Sequence, residues 1–121
     1  MSRKILTIDD SLTVRQLLNM TLSGAGYEVC EAEDGEQALR LVLKEQFDVI
    51  ITDLNMPRID GINLIEKVRE IPGYRFIPII MLTTENHEGM KQKGKSAGAS
   101  GWIVKPFRGD QVLEVVRRVL P

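Results

Sequence analysis

The stretch that decides the fold is FDVIITDLNMP, residues 47–57. An apolar run at positions 49–51 leads to a carboxylate, Asp53, and the stretch ends at a chain-breaking Pro57. A short run of β-branched residues between polar and turn residues is typical of a strand that is covered on both faces. Asp53 would then lie at the carboxyl end of that strand, where open parallel α/β sheets bind their ligands. Taken alone, it could equally be an acid that stops a strand and starts a turn.

Length and composition favour one ordinary domain over residues 1–121, since 121 residues can bury a core but are too few for two domains. A net charge of −1 gives no basic excess for nucleic acid. Asp9, Asp10 and Arg15 interrupt the first twenty residues, which disfavours a signal peptide or a membrane span. We expect a cytoplasmic monomer that binds neither nucleic acid nor membranes. The single cysteine, Cys30, is expected to be a small buried hydrophobe.

Strand, turn and helix alternate five times along the chain. Apolar strands are predicted at 4–8, within 47–57, at 77–83 and at 100–104, and a more polar one at 27–32. Five such units predict an α/β fold, a doubly wound five-stranded parallel sheet with helices on both faces. The apolar first strand and polar second strand favour the order 2-1-3-4-5. The first helix is marked by the apolar positions Leu12, Val14, Leu17, Leu18 and Leu22.

The fourth helix, at roughly 87–97, is the least regular of the five. Gly89 and Gly94 lie inside it, and each costs about 1 kcal/mol relative to alanine. Lysines occupy positions 91, 93 and 95 of the same segment. We therefore expect this side of the molecule to be comparatively soft.

Polar residues follow four of the predicted strands. Because the carboxyl ends of parallel strands meet at one edge of the sheet, these side chains should converge. They are Asp9 and Asp10 after the first strand, Asp53 on the third, Thr83 on the fourth and Lys105 on the fifth. One lysine cannot offset three neighbouring carboxylates, so a divalent cation is expected. Hard oxygen ligands suit Mg²⁺ and disfavour zinc.

Such an edge suits the transfer of a phosphoryl group. Mg²⁺ and Lys105 would spread negative charge, Thr83 could donate a hydroxyl hydrogen bond, and Asp53 is the candidate nucleophile. No GxxxxGK[ST] loop is present, so direct nucleotide binding is not expected. Each residue also has an ordinary alternative, such as a helix start for the acidic pair or a surface charge for Lys105. Such ordinary explanations account less well for polar residues at the ends of four strands on one edge of the sheet.

The chain resembles the receiver domains of two-component response regulators, most closely the CheY-like single-domain receivers of chemotaxis. The strand order 2-1-3-4-5 is the one known for that family. The resemblance spans the whole chain, and its motifs are specific in combination and spacing. They are Asp9-Asp10, DLNMP at 53–57, Asp60-Gly61, Thr83 and GASGWIVKPF at 98–107.

The resemblance implies a role for each motif residue. Asp53 would accept phosphate from a histidine kinase, with Mg²⁺ bound directly by Asp10 and Asp53 and through water by Asp9. Asn55 would add its backbone carbonyl to the cation, and Lys105 would contact the phosphate. Thr83 would be the switch hydroxyl and Trp102 the aromatic switch, with a cis peptide before Pro106. Asn55 and Glu85 would influence the lifetime of the acyl phosphate, which we expect to be short.

The resemblance also implies how the signal leaves. The output surface would be formed by the fourth helix, fifth strand and fifth helix. The expected partners are a CheA-like histidine kinase as phosphodonor and a flagellar motor switch protein as target. The chain would catalyse only its own phosphorylation and dephosphorylation, so it is not expected to be an enzyme. The alternative is a phosphorelay intermediate or a phosphate-sink receiver outside chemotaxis.

Two features of the sequence depart from what is usual in the family. Trp102 is bulkier than the tyrosine or phenylalanine often found at the switch position, and the fourth helix is irregular.

Two other functions are alternatives to the receiver interpretation. A phosphatase of the haloacid dehalogenase type would need an acid where Asn55 stands. A flavodoxin-like electron carrier would need a hydroxyl-rich phosphate loop after the first strand, where Asp9 and Asp10 would repel the phosphate.

Overall fold

The computed structural model describes residues 2–84 and 88–120. Strands and helices alternate along the chain, as the hydrophobic pattern predicts. The strands are β1 (Lys4–Ile8), β2 (Glu28–Ala32), β3 (Val49–Asp53), β4 (Ile79–Thr83) and β5 (Gly101–Val104). The helices are α1 (Leu12–Gly24), α2 (Gly35–Lys44), α3 (Gly61–Arg69), α4 (Glu88–Ala97) and α5 (Gly109–Val119).

All strand pairs are parallel, and the sheet order is β2-β1-β3-β4-β5. The predicted order and the predicted edge position of β2 are therefore confirmed. The register pairs Asp53 with Leu82 and Thr83 with Val104, so the ends of the central strands lie side by side. Within the described residues, no helix combines the length and apolar character that crossing a membrane requires.

Two hydrophobic clusters pack against opposite faces of the sheet, because successive strand residues point to opposite sides. Neighbours such as Ile5 and Leu6 belong to different clusters. On one face, β1, β3 and β4 pack against α2 and α3, with α4 contributing partly buried residues. On the other face, α1 and α5 cover the sheet. The doubly wound architecture expected from the sequence is thus observed.

Short polar side chains fix where three helices begin. The N-cap oxygens of Ser11, Asp34 and Asp60 each accept a hydrogen bond from the backbone N–H three residues later. Such caps satisfy a donor that the first helical turn leaves unpaired, and each typically contributes about 1 kcal/mol. All three helices follow the carboxyl end of a strand, so the caps also order the loops at this edge of the sheet.

Three details differ from the sequence-based expectations. In α1, Leu12 and Leu17 are 59% and 41% exposed, whereas Arg15 is buried. β4 begins at Ile79 rather than at position 77, and a strand seldom continues through Pro78 because proline has no N–H to donate. Cys30 is only partly buried on the edge strand, and that burial raises the pKa of its thiol.

Candidate functional site

Three carboxylates meet at the carboxyl edge of the sheet, between the ends of β1 and β3. One oxygen atom from each of Asp9, Asp10 and Asp53 lies within 4.8 Å of the other two. Asp9 and Asp53 are buried, whereas Asp10 is exposed. The structure therefore brings together the acidic residues that the sequence placed at this edge.

Lys105 reaches into the same cluster from the end of β5. Its Nζ lies 2.8 Å from Asp9 Oδ2 and 3.5 Å from Asp53 Oδ1. The Lys105–Pro106 peptide is cis, as the family resemblance implies. A side chain from the last strand thus bridges the acids of β1 and β3.

The charges at the site are incompletely balanced. Burial, together with the negative charge of Asp9, raises the pKa of Asp53 above its ordinary value despite the opposing effect of Lys105. Burial alone would lower the pKa of Lys105, but its contacts with Asp9 and Asp53 outweigh that effect and raise it. One ammonium group therefore faces three carboxylates in a partly desolvated space, which favours binding of an additional cation.

Asp9 is held by hydrogen bonds at both its side chain and its backbone. Its Oδ1 accepts from the Ser11 N–H at 2.9 Å, and its Oδ2 accepts from Lys105. Its backbone N–H donates to the Ala32 carbonyl, and its carbonyl accepts from Arg15 Nη1 at 2.7 Å. Both side-chain oxygens of Asp9 are therefore already engaged within the protein.

The sequence interpretation gave Arg15 no part in the site. A signal was present, since Arg15 lies three and seven positions before Leu18 and Leu22, the other two buried residues of α1. This spacing puts an arginine on the row of the helix that faces the sheet. We noted only its charge, which argues against a membrane span.

The start of α3 packs directly against the end of β3. A Cβ at Gly61 would come within 2.5 Å of the Asp53 carbonyl oxygen and 2.9 Å of Met81 Sδ. The Gly61 N–H donates to the Leu54 carbonyl at 2.8 Å. Glycine at this position therefore allows the helix to fix the backbone that carries Asp53.

The remaining predicted residues surround this centre. Thr83 ends β4 and is fully buried, and its neighbour in the register is Val104. Asn55 is exposed in the loop after β3, two residues beyond Asp53. Glu85 lies outside the described residues. The roles assigned to Thr83, Asn55 and Glu85 stay predictions.

Trp102 lies on β5 and packs against the middle of α4. A Cβ added at Gly94 would come within 2.8 Å of the indole Cζ3 atom. The residue is half-buried, and its Nε1 is enclosed without a hydrogen-bond partner among residues 2–84 and 88–120. The absence of a side chain at Gly94 therefore makes room for the large indole ring of Trp102.

Comparison with known proteins identifies the family. The family model described as the response regulator receiver domain matches residues 5–117. The chain belongs to this family. The match includes every residue described at the carboxyl edge of the sheet, from Asp9 to Lys105.

Two relatives from chemotaxis are similar over nearly their whole length. Chemotaxis protein CheY1 of Helicobacter pylori is 42% identical over 119 residues, which cover 97% of this chain and 96% of the relative. The crystal structure of chemotaxis protein CheY4 of Vibrio cholerae is 47% identical, with a TM-score of 0.96 and coverage of 98% and 99%. This chain is therefore a CheY-like response regulator receiver.

A second similar structure carries a cation. The receiver domain of the sensor histidine kinase PA1611 from Pseudomonas aeruginosa has a magnesium ion coordinated in its active-site cleft. It is 27% identical, with a TM-score of 0.91, and the alignment covers 99% of this chain and 98% of that one. The donor set of Asp9, Asp10 and Asp53 consists of hard carboxylate oxygens, which fits such an ion chemically.

Proposed function

We propose that this protein is a stand-alone response regulator that accepts a phosphoryl group from a histidine kinase on Asp53 in a Mg²⁺-dependent reaction. The observation that carries the proposal is the convergence of Asp53 with two further carboxylates and Lys105 at one sheet edge. The protein acts on itself and is not an enzyme for an external substrate. The chain covers 96% of chemotaxis protein CheY1 from Helicobacter pylori, which supports a role like that of this relative.

In this mechanism a carboxylate oxygen of Asp53 attacks the phosphorus of the phosphohistidine. An O–P bond forms, the P–N bond breaks, and the imidazole leaves and takes up a proton from solvent. Lys105, 3.5 Å from Asp53 Oδ1, offers its ammonium group to the phosphoryl oxygens. Gly61 holds the backbone of Asp53 in place during the attack. The product is an acyl phosphate that water can hydrolyse.

The three aspartates would contribute to cation binding in different ways. Both oxygens of Asp9 accept hydrogen bonds from the protein, which suits a ligand that acts through water. Asp10 is exposed and Asp53 stands beside it, so these two would be the direct carboxylate ligands, together with the backbone carbonyl of Asn55. Bound Mg²⁺ supplies positive charge that lowers the repulsion between the carboxylates and the incoming phosphoryl group.

The helix beside the site presents an uncharged surface for the phosphodonor. Leu12 and Met20 of α1 are 59% and 75% exposed, and grouped exposed apolar side chains are typical of protein interaction sites. Leu17 lines a groove of about 300 Å³ with Phe107, and Lys105 lies in the same groove. A protein donor that docks on this groove would deliver its phosphohistidine next to Asp53.

The signal would leave through the face formed by α4, β5 and α5. Thr83 would move toward the phosphoryl group, and Trp102 would settle inward behind it. Trp102 and Val115 line a groove of about 290 Å³ on this face. Lysines at 91, 93 and 95 lie on the adjoining helix. This combination suits a protein partner with apolar and acidic side chains.

We place the protein in chemotaxis, with a CheA-like kinase upstream and the flagellar motor switch downstream. The two chemotaxis relatives support this choice because both are similar over 96% or more of their length. A relay or phosphate-sink role would use the same site but would not need the output face. Binding of the phosphorylated protein to a purified motor switch protein, compared with the unphosphorylated protein, distinguishes these roles.

The phosphotransfer itself is tested by incubating the protein with acetyl phosphate and following its intact mass. We expect a mass increase of one phosphoryl group that requires Mg²⁺ and is abolished by chelation. Asp53→Asn should remove the labelling. Asp110→Asn, which alters an exposed aspartate of α5, should leave it intact. Persistence of the label in Asp53→Asn would contradict the mechanism.

A further inference from the structure

A buried arginine lies directly behind the acidic pair. Arg15 is only 7% exposed, although it belongs to the first helix after the site. Its Nη1 donates to the Asp9 carbonyl at 2.7 Å, and its Nε donates to Glu31 Oε1 at 3.2 Å. The guanidinium group thus connects the loop after β1 with the neighbouring edge strand β2.

The bond to the Asp9 carbonyl also controls Asp10. A peptide bond is planar, so the carbonyl of Asp9 and the N–H of Asp10 share one rigid plane. Fixing the direction of that carbonyl therefore fixes the position from which the Asp10 side chain departs. Asp9 itself is additionally held by Ser11 and Lys105, whereas Asp10 is exposed. Asp10 consequently depends on the Asp9–Asp10 peptide for its orientation.

The choice of arginine fits this geometry. Its planar group presents donors in a fixed fork, so it can hold a carbonyl and a carboxylate at the same time, which a lysine ammonium on a flexible stem does less well. Glu31 is aligned in turn by Asn19 Nδ2, 2.9 Å from its second oxygen. Burying a charge for packing alone is costly, and an apolar side chain often serves as well. The contact with the Asp9 carbonyl offers a functional reason for the burial of this charge.

We propose that Arg15 is a positioning residue for the cation site, which orients the Asp9–Asp10 peptide so that Asp10 and Asp53 can hold one Mg²⁺ together. The inference rests on the proposed function only in requiring that the site bind Mg²⁺. Residues that orient metal ligands typically change metal affinity by 10- to 100-fold when they are replaced. Arg15 does so without touching the ion.

The test is isothermal titration of the folded protein with MgCl₂, without phosphodonor. We expect Arg15→Lys and Arg15→Met to bind Mg²⁺ about 10-fold more weakly than the unmodified protein, or weaker still. Glu31→Gln is the matched control. It weakens the ion pair of Arg15 but leaves the contact with the Asp9 carbonyl, so its Mg²⁺ affinity should change far less. Circular dichroism at the titration temperature establishes that each variant is folded.

The outcomes separate this inference from the proposed function. Unchanged affinity in Arg15→Lys, or an equal loss in Glu31→Gln, would overturn the positioning role while the proposed function stands. Unfolding of both Arg15 variants would also overturn it, because the residue would then be mainly structural. If the unmodified protein itself failed to bind Mg²⁺, the proposed function would fall first and the inference with it.

Discussion

Helices α3 and α4 lie on the same face of the sheet, yet they are attached to it very differently. α3 buries four residues, Gly61, Leu64, Ile65 and Val68, whereas in α4 the buried residue is Gly94. The first turn of α3 packs against the backbone of Asp53. The neighbouring helix instead carries lysines and glycines. The helix beside the proposed phosphoacceptor is therefore fixed, whereas the helix of the proposed output face is weakly held.

The carboxyl end of α4 is held against α3 by an arginine. Arg69, in the last turn of α3, donates from Nη1 to the carbonyls of Tyr74 at 2.9 Å and Ile77 at 2.6 Å. Its Nη2 donates to the carbonyl of Gly98, just after α4. Burial of this guanidinium group lowers the pKa of Arg69. The carboxyl end of α4 is therefore tied to α3.

The largest expected difference concerns stability. Leu64→Ala removes a fully buried side chain of α3 and should lower the free energy of unfolding by about 2–5 kcal/mol. Met90→Ala removes a partly buried side chain of α4 and should cost about 1 kcal/mol. Urea unfolding of both variants measures the two costs. Equal costs would break the distinction between a fixed and a weakly held helix.

A smaller effect is expected at Gly94. Helix propensity alone would make Gly94→Ala more stable by about 1 kcal/mol. We expect no such gain, because the new methyl group would come within 2.8 Å of the Trp102 ring and displace it. A red shift in the fluorescence of Trp102, the single tryptophan, would report that displacement.

Two further variants show whether size is the cause. In a Trp102→Phe background, Gly94→Ala should recover the stability gain, because the smaller ring leaves space for a methyl group. Gly24→Ala places a methyl group where nothing lies within 4 Å, so it should be tolerated without a change in fluorescence. A full gain from Gly94→Ala in the unmodified background would refute the proposed contact.

The smallest expected effect is a pH dependence of the protein's stability, which arises from Asp53 beside α3. The pKa of Asp53 is raised in the folded protein, so the folded state holds this proton more tightly than the unfolded state. Without metal, stability should therefore fall as the pH rises from below 3.8, the ordinary value, through the raised pKa. Asp53→Asn lacks this loss and should be the more stable protein at neutral pH.

Urea unfolding in the presence of a chelator, repeated across acid and neutral pH, measures this difference. The advantage of Asp53→Asn should shrink as the pH falls and Asp53 becomes protonated in both states. An advantage that grows toward acid pH would mean that the folded protein lowers the pKa of Asp53, contrary to the burial and charge described here.

The sequence was sufficient to predict the sheet and the convergence of the polar residues at the ends of its strands. Apolar runs such as the one before Asp53 mark central strands, and parallel strands bring their carboxyl ends together whatever the loops do. It was insufficient for α1, where apolar residues occur on two sides of the helix. Periodicity alone could not show that Leu12 and Leu17 face solvent while Arg15 faces the sheet.

Contacts between distant residues were the other part that the sequence could not provide. Gly94 was predicted only as a weakness of the fourth helix. Its contact with Trp102 depends on how α4 crosses β5, which no local pattern encodes. In the same way, the hydrogen bond from Arg15 to the Asp9 carbonyl depends on how the whole of α1 is placed relative to the end of β1.

The difference between the fixed α3 and the weakly held α4 is measured most directly by amide hydrogen exchange, with and without acetyl phosphate in the presence of Mg²⁺. Phosphorylation at Asp53 should change exchange in α4 and β5 and leave exchange in α3 unchanged, and acetyl phosphate should change exchange nowhere in Asp53→Asn. A change confined to α3, or the same change in Asp53→Asn, would contradict this prediction.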